Sequence, residues 1–401
     1  MVEIKYNNKS FLFFIALFAM LPPFAINTYA PAIPEVAKYF HVSESKVLLT
    51  ATTYFIGFSI GMLFWGPISD RFGRKIPLFI GMILYVISTI MCAMSNAFSM
   101  LELMRFLQGL SDCSGAVISL SILRDCYSGK KLNKSIAVMA IIMMIAPIIS
   151  PIVGTVLLKF TGHWQSEFHF LSFYGIFLLI VTYFLTETLD KKDRTTAMHQ
   201  SIGFYYAHVC NTKFVFKTLS SGLCFAAFFS FIGSAPIIFL HNFNSGYLAY
   251  CISFGVCVFG VILANTFITF YNHIISVKQF ALVGIISTMF GIVVYIILIS
   301  ITTHIVICFT IGMTITLFGL SLTSSILLSD SLNHIEKGFG SANSISNFIK
   351  YGSAGIANYV MSQYPAKGLV HVLSLQQFLI IFVILIIMLL VWNKEGKISR
   401  A

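Results

Sequence analysis

The sequence predicts an all-α membrane protein of twelve transmembrane helices, arranged as two pseudo-symmetric six-helix bundles. Three observations carry that prediction. Of 401 residues, 58% are hydrophobic and only 10% are charged, against roughly 25% charged in soluble domains. Apolar runs of about 18 residues or more recur from end to end, each long enough to cross about 30 Å of hydrocarbon as a helix. The longest hydrophilic stretch, 187–216, falls midway and leaves halves of equal length, 11–186 and 217–392.

The spans are expected at 11–30, 47–67, 76–95, 102–123, 135–158, 167–186, 217–239, 247–270, 278–300, 305–329, 341–363 and 374–392. The first is too long for a secretory signal and lacks a small-residue cleavage site. With twelve spans both termini share one side. The cations between spans then divide unevenly: nineteen, from Lys5 to Arg400, lie on the side of the termini, and Lys38, Lys46, Lys159 and Lys367 lie on the other. The positive-inside rule makes the termini cytoplasmic. The chain therefore divides into an N-terminal half at 1–186, a cytoplasmic linker at 187–216 and a C-terminal half at 217–401, and repeats of this kind place a substrate site near the midplane between them.

The net charge of +11 is scattered between apolar runs rather than gathered on a basic face, which excludes a nucleic-acid partner and leaves the lipid bilayer and a small molecule. The eight cysteines lie mostly inside apolar runs without CxxC spacing, so neither a disulfide framework nor a zinc site is indicated. All ten histidines sit in loops or near span ends, and no metal or haem site is read from them. The absence of a GxxxxGK[ST] phosphate cradle argues against direct ATP use.

Between spans two and three stands GPISDRFGRK, Gly66 to Lys75. Asp70 with Arg71, Arg74 and Lys75 can lock helix ends by charge pairing, and Gly66 and Gly73 allow close approach and a tight turn. Pro147, Pro151 and Gly154 in APIISPIVG predict a bent, closely packed fifth span. Pro22 and Pro23 predict a broken helix in span one.

Ionisable groups at membrane depth cost at least about 2.5–3.5 kcal/mol on insertion scales, so each must face protein, water or substrate. Arg105, Asp112 and Lys350 qualify. Arg105 and Asp112 lie seven residues, or about 10 Å, apart on one helix stripe. Asp112 either carries a proton or is the structural partner of Arg105 or Lys350. Lys350 either pairs with Asp112 or presents its charge to an anionic ligand.

The Gly66–Lys75 loop is similar to the signature loop of the major facilitator superfamily. NTYAPAIP at 27–34, MRFLQG at 104–109, LRDCY ending at Tyr127, APIISPIVG, HWQSEF, ETL at 187–189 and SFIGSAP at 230–236 resemble, in order and spacing, its Bcr/CflA group of drug-resistance proton antiporters. The second-half counterpart of the signature loop, YNHIISVK, keeps almost none of the pattern. The resemblance implies a monomeric secondary transporter of a bacterial inner membrane, working by alternating access. It would draw on the proton gradient, need no cofactor and export small amphipathic compounds. It also implies that Arg105 couples proton movement to transport, that the fifth-span motif shapes the interface between halves, and that Tyr29, Tyr54, Phe231 and Phe348 lie on cavity-lining spans.

One departure matters. Where the group commonly has a proton-coupling aspartate in span one this chain has Asn27, which cannot titrate. Together with Arg105 and Lys350 this motivates a second reading beside the leading one, transport of an anion such as a polycarboxylate or siderophore, exported or imported. An enzyme is not expected, because the three buried charges supply no nucleophile and base pair. A channel would show unsaturable conductance, and a carrier saturable flux.

Overall fold

A computed structural model describes residues 9–194, 198–333, 335 and 338–398. Lys5, Lys337 and Arg400, three of the cations that indicate topology, lie outside them. The described residues form helices α1 (Lys9–Asn27), α2 (Ile33–Phe40), α3 (Glu44–Phe72), α4 (Lys75–Ala93), α5 (Phe98–Cys126), α6 (Gly129–Thr161), α7 (Gln165–Phe184), α8 (Met198–Cys210), α9 (Thr212–Pro236), α10 (Tyr247–Tyr271), α11 (Val277–Ile301), α12 (Ile305–Asn333), α13 (Phe339–Ser362) and α14 (Leu369–Ile398). Two compact units result, Met1–Ile202 and Gly203–Ala401.

The burial pattern is that of a chain solvated by lipid. Ile76, Ile80, Leu84 and Ile87 form an exposed apolar stripe along α4, while Tyr85 and Thr89 on its other face are buried. Ile141, Ile145, Ile149, Ile152 and Val156 do the same along α6. Spacings of three and four residues keep each stripe on one helix face. The lipid-facing stripes are apolar, and the polar side chains of these helices lie on the inward faces among apolar ones such as Leu78 and Met82, unlike the polar outer face of a water-soluble helix.

Each unit repeats one packing scheme. In the first, α3 and α4 both pack on α5, α4 on α7, and α1 on α5 and α6. In the second, α10 and α11 pack on α12, α11 on α14, and α9 on α12 and α13. These are the same pairings of second, third, fourth, sixth, first and fifth spans.

Eleven segments among the described residues are long and apolar enough to cross a membrane. The predicted span at 341–363 is present as α13, whose 24 residues reach about 36 Å. Its composition sets it apart, because Ser341, Asn343, Ser344, Ser346, Asn347 and Lys350 crowd its first half.

One expectation is corrected. Pro22 and Pro23 lie inside an unbroken α1; the break comes later, where a 3-10 turn at Ala30–Ala32 leads into α2. The stretch 187–216, expected as a cytoplasmic linker, contains α8. In its second half α8 carries Tyr205, which packs beside a small core of Phe214, Ala342 and Ile345, and His208, whose Nε2 lies 3.1 Å from the Gly338 carbonyl oxygen.

Candidate functional site

The first unit buries a polar cluster around Arg105, on the second turn of α5. Its backbone is set by close helix contact: a Cβ at Gly109 would fall 2.1 Å from the Tyr54 carbonyl oxygen, and one at Gly57 equally close to the Phe106 oxygen. Glycine at both places lets α3 and α5 touch. That contact lays the Tyr54 ring against Arg105, with the guanidinium carbon 4.7 Å from the ring centre. Tyr29 and Phe168 cover it from other sides at 5.2 and 5.8 Å. A guanidinium desolvated among aromatic faces gains about 0.5–2 kcal/mol from each well-placed ring.

Arg105 is fully buried. Its Nη1 donates to the Ala25 carbonyl at 3.1 Å and to Gln108 Oε1 at 2.6 Å. Gln108 in turn donates to Thr89 Oγ1 at 2.8 Å. Nε and Nη2 have no hydrogen-bond partner. Asp112, also fully buried, accepts the Tyr54 hydroxyl on Oδ2 at 2.5 Å, while its Oδ1 has no partner. No direct ion pair joins Arg105 and Asp112 among the described residues. Tyr54 stands between them, with its ring on the cation and its hydroxyl on the acid. A proton arriving at Asp112 would disturb that hydrogen bond and, through the ring, the seat of Arg105.

Asn27 (3% exposed) sits at the end of α1, its Nδ2 donating to the Pro23 carbonyl at 2.9 Å. Tyr29 receives a long 3.5 Å contact from Thr50 Oγ1. Pro147 and Pro151 lie within α6, and a Cβ at Gly154 would fall 2.0 Å from the Thr28 carbonyl oxygen. The motif thus presses α6 onto the chain just where α1 gives way to the 3-10 turn.

The loop between α3 and α4 is a charge lock. Gly66 lies within α3. Gly73 turns the chain at φ +90°, a conformation that favours glycine. Arg74, 6% exposed, donates through Nε to Asp125 Oδ2 at 2.8 Å, through Nη1 to Ser69 Oγ at 2.9 Å, and to Asp70. Burial alone would lower its pKa, yet the hydrogen bonds and charges of Asp125 and Asp70 hold it above the usual arginine value. Glu187 accepts the backbone N–H of Arg74 at 2.8 Å and of Lys75 at 3.3 Å, capping α4, and Lys75 Nζ donates to the Tyr183 carbonyl at 2.7 Å. Arg71 does not share this network; its guanidinium lies over the Phe72 ring. Of the expected latch residues, Asp70 and Arg74 pair directly and are joined by Asp125, with Glu187 closing the base. An Asp125→Asn variant is expected to lose about 3–5 kcal/mol, because it leaves Arg74 buried with half its compensation; thermal unfolding of the purified protein measures it.

In the second unit Lys350 places Nζ 4.6 Å from the centre of the Phe225 ring, and Tyr351 packs edge-on against Phe225 at 5.1 Å. No described hydrogen bond or ion pair within that unit reaches the Lys350 ammonium. Phe348 is partly exposed, at 37%. Phe231 is fully buried, stacked 6.1 Å from Phe254 and tilted against Phe309. It is a ring packed in the interior of its unit.

Sequence reasoning misses four groups. Asp125 and Glu187 sit in LRDCY and ETL, motif pieces to which spacing assigns no role. Lys217 reads as an inside cation, yet it is 8% exposed and paired with Asp330 at 2.7 Å. Glu167 stands at the predicted edge of span six, and the structure buries it completely. Its only signal is a charged residue inside HWQSEF.

A sequence profile described as Major Facilitator Superfamily matches residues 12–358. The chain is 30% identical over 280 residues to a protein named "Uncharacterized MFS-type transporter YdgK" from Bacillus subtilis, covering 69% of this chain and 70% of that one. It is 29% identical to a "Bicyclomycin resistance protein homolog" of Haemophilus influenzae, over 58% of this chain and 60% of that one. To "Multidrug resistance protein MdtL" of Klebsiella pneumoniae it is 28% identical, over 57% and 59%. The aligned region thus spans under two thirds of each named resistance protein. Among solved structures, a D-xylose-proton symporter has a similar fold with TM-score 0.73 at 13% identity, covering 94% of this chain and 96% of that one. The nucleoside transporter NupG likewise gives 0.73 at 12%, covering 93% and 99%.

Proposed function

Because this chain belongs to the Major Facilitator Superfamily and is a multi-pass membrane transporter rather than an enzyme, we propose that it exports small amphipathic compounds in exchange for protons. It does so by alternating access, in a bacterial inner membrane, with both termini in the cytoplasm, a reading that the inside excess of Lys and Arg supports. The observation that carries proton coupling is the Arg105–Tyr54–Asp112 arrangement: a fully buried acid, one oxygen held by Tyr54 and the other open. The span-one position is asparagine, so Asp112 takes the coupling role. The named resistance relatives support a drug-like cargo.

In proteoliposomes, Asp112→Asn is expected to lower transport driven by a pH gradient by about tenfold or more, with substrate counterflow at equal pH nearly unchanged. Undiminished gradient-driven transport would rule out Asp112 as the coupling acid.

A second reading has its own observation. Lys350 is a cation over an aromatic ring without an acid partner in its unit among the described residues, a setting that suits an amphipathic acid. Under that reading Lys350→Gln abolishes transport of carboxylates and spares neutral and cationic drugs; equal loss for all substrates counts against it.

A further inference from the structure

The first turn of α7 holds a carboxylate that the proposed coupling scheme does not use. Glu167 is 0% exposed, and neither of its oxygens has a hydrogen-bond partner. No ion pair reaches it among the described residues. An ionised carboxylate is poorly tolerated in such a place, because neither a donor nor a cation offsets its lost hydration.

The surroundings hold that turn in position. Ser166 Oγ donates to the His163 carbonyl at 2.7 Å, and Thr161 Oγ1 donates to Ser166 Oγ at 3.0 Å, closing the hairpin from α6. Trp164 packs against Phe40 of α2 and Phe168 of α7. Phe168, the next residue after Glu167, lies 5.3 Å from the Tyr29 ring and covers the Arg105 guanidinium. Helices α5 and α7 both begin on the same side of the unit, two spans apart. Glu167 is in the first turn of α7, whereas Arg105 and Asp112 lie about 10 and 21 Å along α5. The Phe168 contact thus sets the turn that carries Glu167 beside Arg105, with Asp112 two turns further along α5.

We propose that Glu167 is a second proton-binding carboxylate of the transport cycle, linked to Arg105 through Phe168. Its carboxylate takes a proton from water when the first turn of α7 is wetted and returns that proton to water when the turn is wetted again; no other bond forms or breaks. The neutral acid suits the buried state and the carboxylate the hydrated one, so protonation biases which of the two is occupied. Movement of this turn carries Phe168 with it, and Phe168 is one wall of the Arg105 seat. Other charged or titratable side chains on the neighbouring elements include Lys75, Tyr85 and Cys92 of α4, Tyr29 beyond α1, Glu35, Lys38 and Tyr39 of α2, Glu102, Arg105 and Asp112 of α5 and Lys159 of α6. His163, His169 and Tyr174 belong to the same hairpin and helix. None hydrogen-bonds to the Glu167 carboxylate.

This inference rests on the proton-coupled reading, but its first test needs no transport. Infrared difference spectra of the purified full-length protein between acid and alkaline pH should contain a protonated-carboxyl band that Glu167→Gln removes and Glu167→Asp retains at a shifted position. A spectrum unchanged by Glu167→Gln overturns the proposal. In proteoliposomes Glu167→Gln should flatten the pH dependence of transport while counterflow at equal pH stays within about twofold; equal loss of both marks a packing role and overturns it. If Asp112→Asn uncouples transport while Glu167→Gln leaves its pH profile intact, this inference fails and proton coupling stands. Wild-type transport indifferent to a pH gradient would instead sink the coupling reading.

Discussion

A Gly109→Ala variant is expected to lose about 3 kcal/mol of stability and most of its transport. The added methyl would sit 2.1 Å from the Tyr54 carbonyl oxygen and 3.1 Å from the Phe58 nitrogen. Both are backbone atoms of a packed helix, so no side chain can swing aside, and the cost lies at the upper end of the roughly 1–3 kcal/mol typical of overpacking. The only relief is to part α3 from α5, which draws the Tyr54 ring off Arg105 and its hydroxyl off Asp112. For a unit of this size each kcal/mol lowers the unfolding midpoint by about 2–4 °C. Gly340→Ala is the control. That residue is in the first turn of α13, where an added methyl would have nothing within 4 Å, so its change should be neutral or slightly stabilising. A Gly109→Ala protein with wild-type melting and transport would show that the helices do not meet as described.

Arg105→Lys is expected to reduce transport by about ten- to a hundredfold, though charge is preserved. The planar guanidinium faces Tyr29, Tyr54 and Phe168 at once and still reaches Gln108 and the Ala25 carbonyl. An ammonium is a compact, strongly hydrated point charge that cannot stack on three rings, so the exchange is not conservative at such a site. Losing even two ring contacts at about 1 kcal/mol each is enough for the lower bound. Initial rates in proteoliposomes, normalised to folded protein, give the measurement. Wild-type rates would mean that Arg105 serves only as a charge.

Most of the fold is legible in the sequence because lipid imposes a simple rule: spans must be long, apolar and helical. That rule places every long helix to within six residues, including α13, whose identification leans on its position in the repeat rather than on its hydropathy. It says little about where a helix breaks. Two consecutive prolines at 22 and 23 suggest a rupture, but α1 runs through them and yields instead at Thr28 and Tyr29, where Gly154 lets α6 press in. The site is legible only in part. Arg105 and Asp112 stand out as charges deep in an apolar run. Glu167 does not, because at a predicted span edge a glutamate reads as an interfacial residue, and only tertiary packing decides whether water reaches it. Asp125 and Glu187 are hidden for a related reason: their partner, Arg74, is 51 and 113 residues away in sequence. Spacing along one helix reveals neighbours three or four residues apart, but not those brought together by a fold.

The polar first half of α13 bears on how the protein is made. A helix carrying serines, asparagines and a lysine gains little from leaving the translocation channel for bare acyl chains, since a lysine near the centre of a span alone costs about 2.5–3.5 kcal/mol on insertion scales. What compensates is company: Gly222 of α9 brings its backbone against Ile349, and Phe225 of the same helix offers its ring to Lys350. Because α9 precedes α13 in the chain, it offers a surface on which this least apolar span can settle as it leaves the channel.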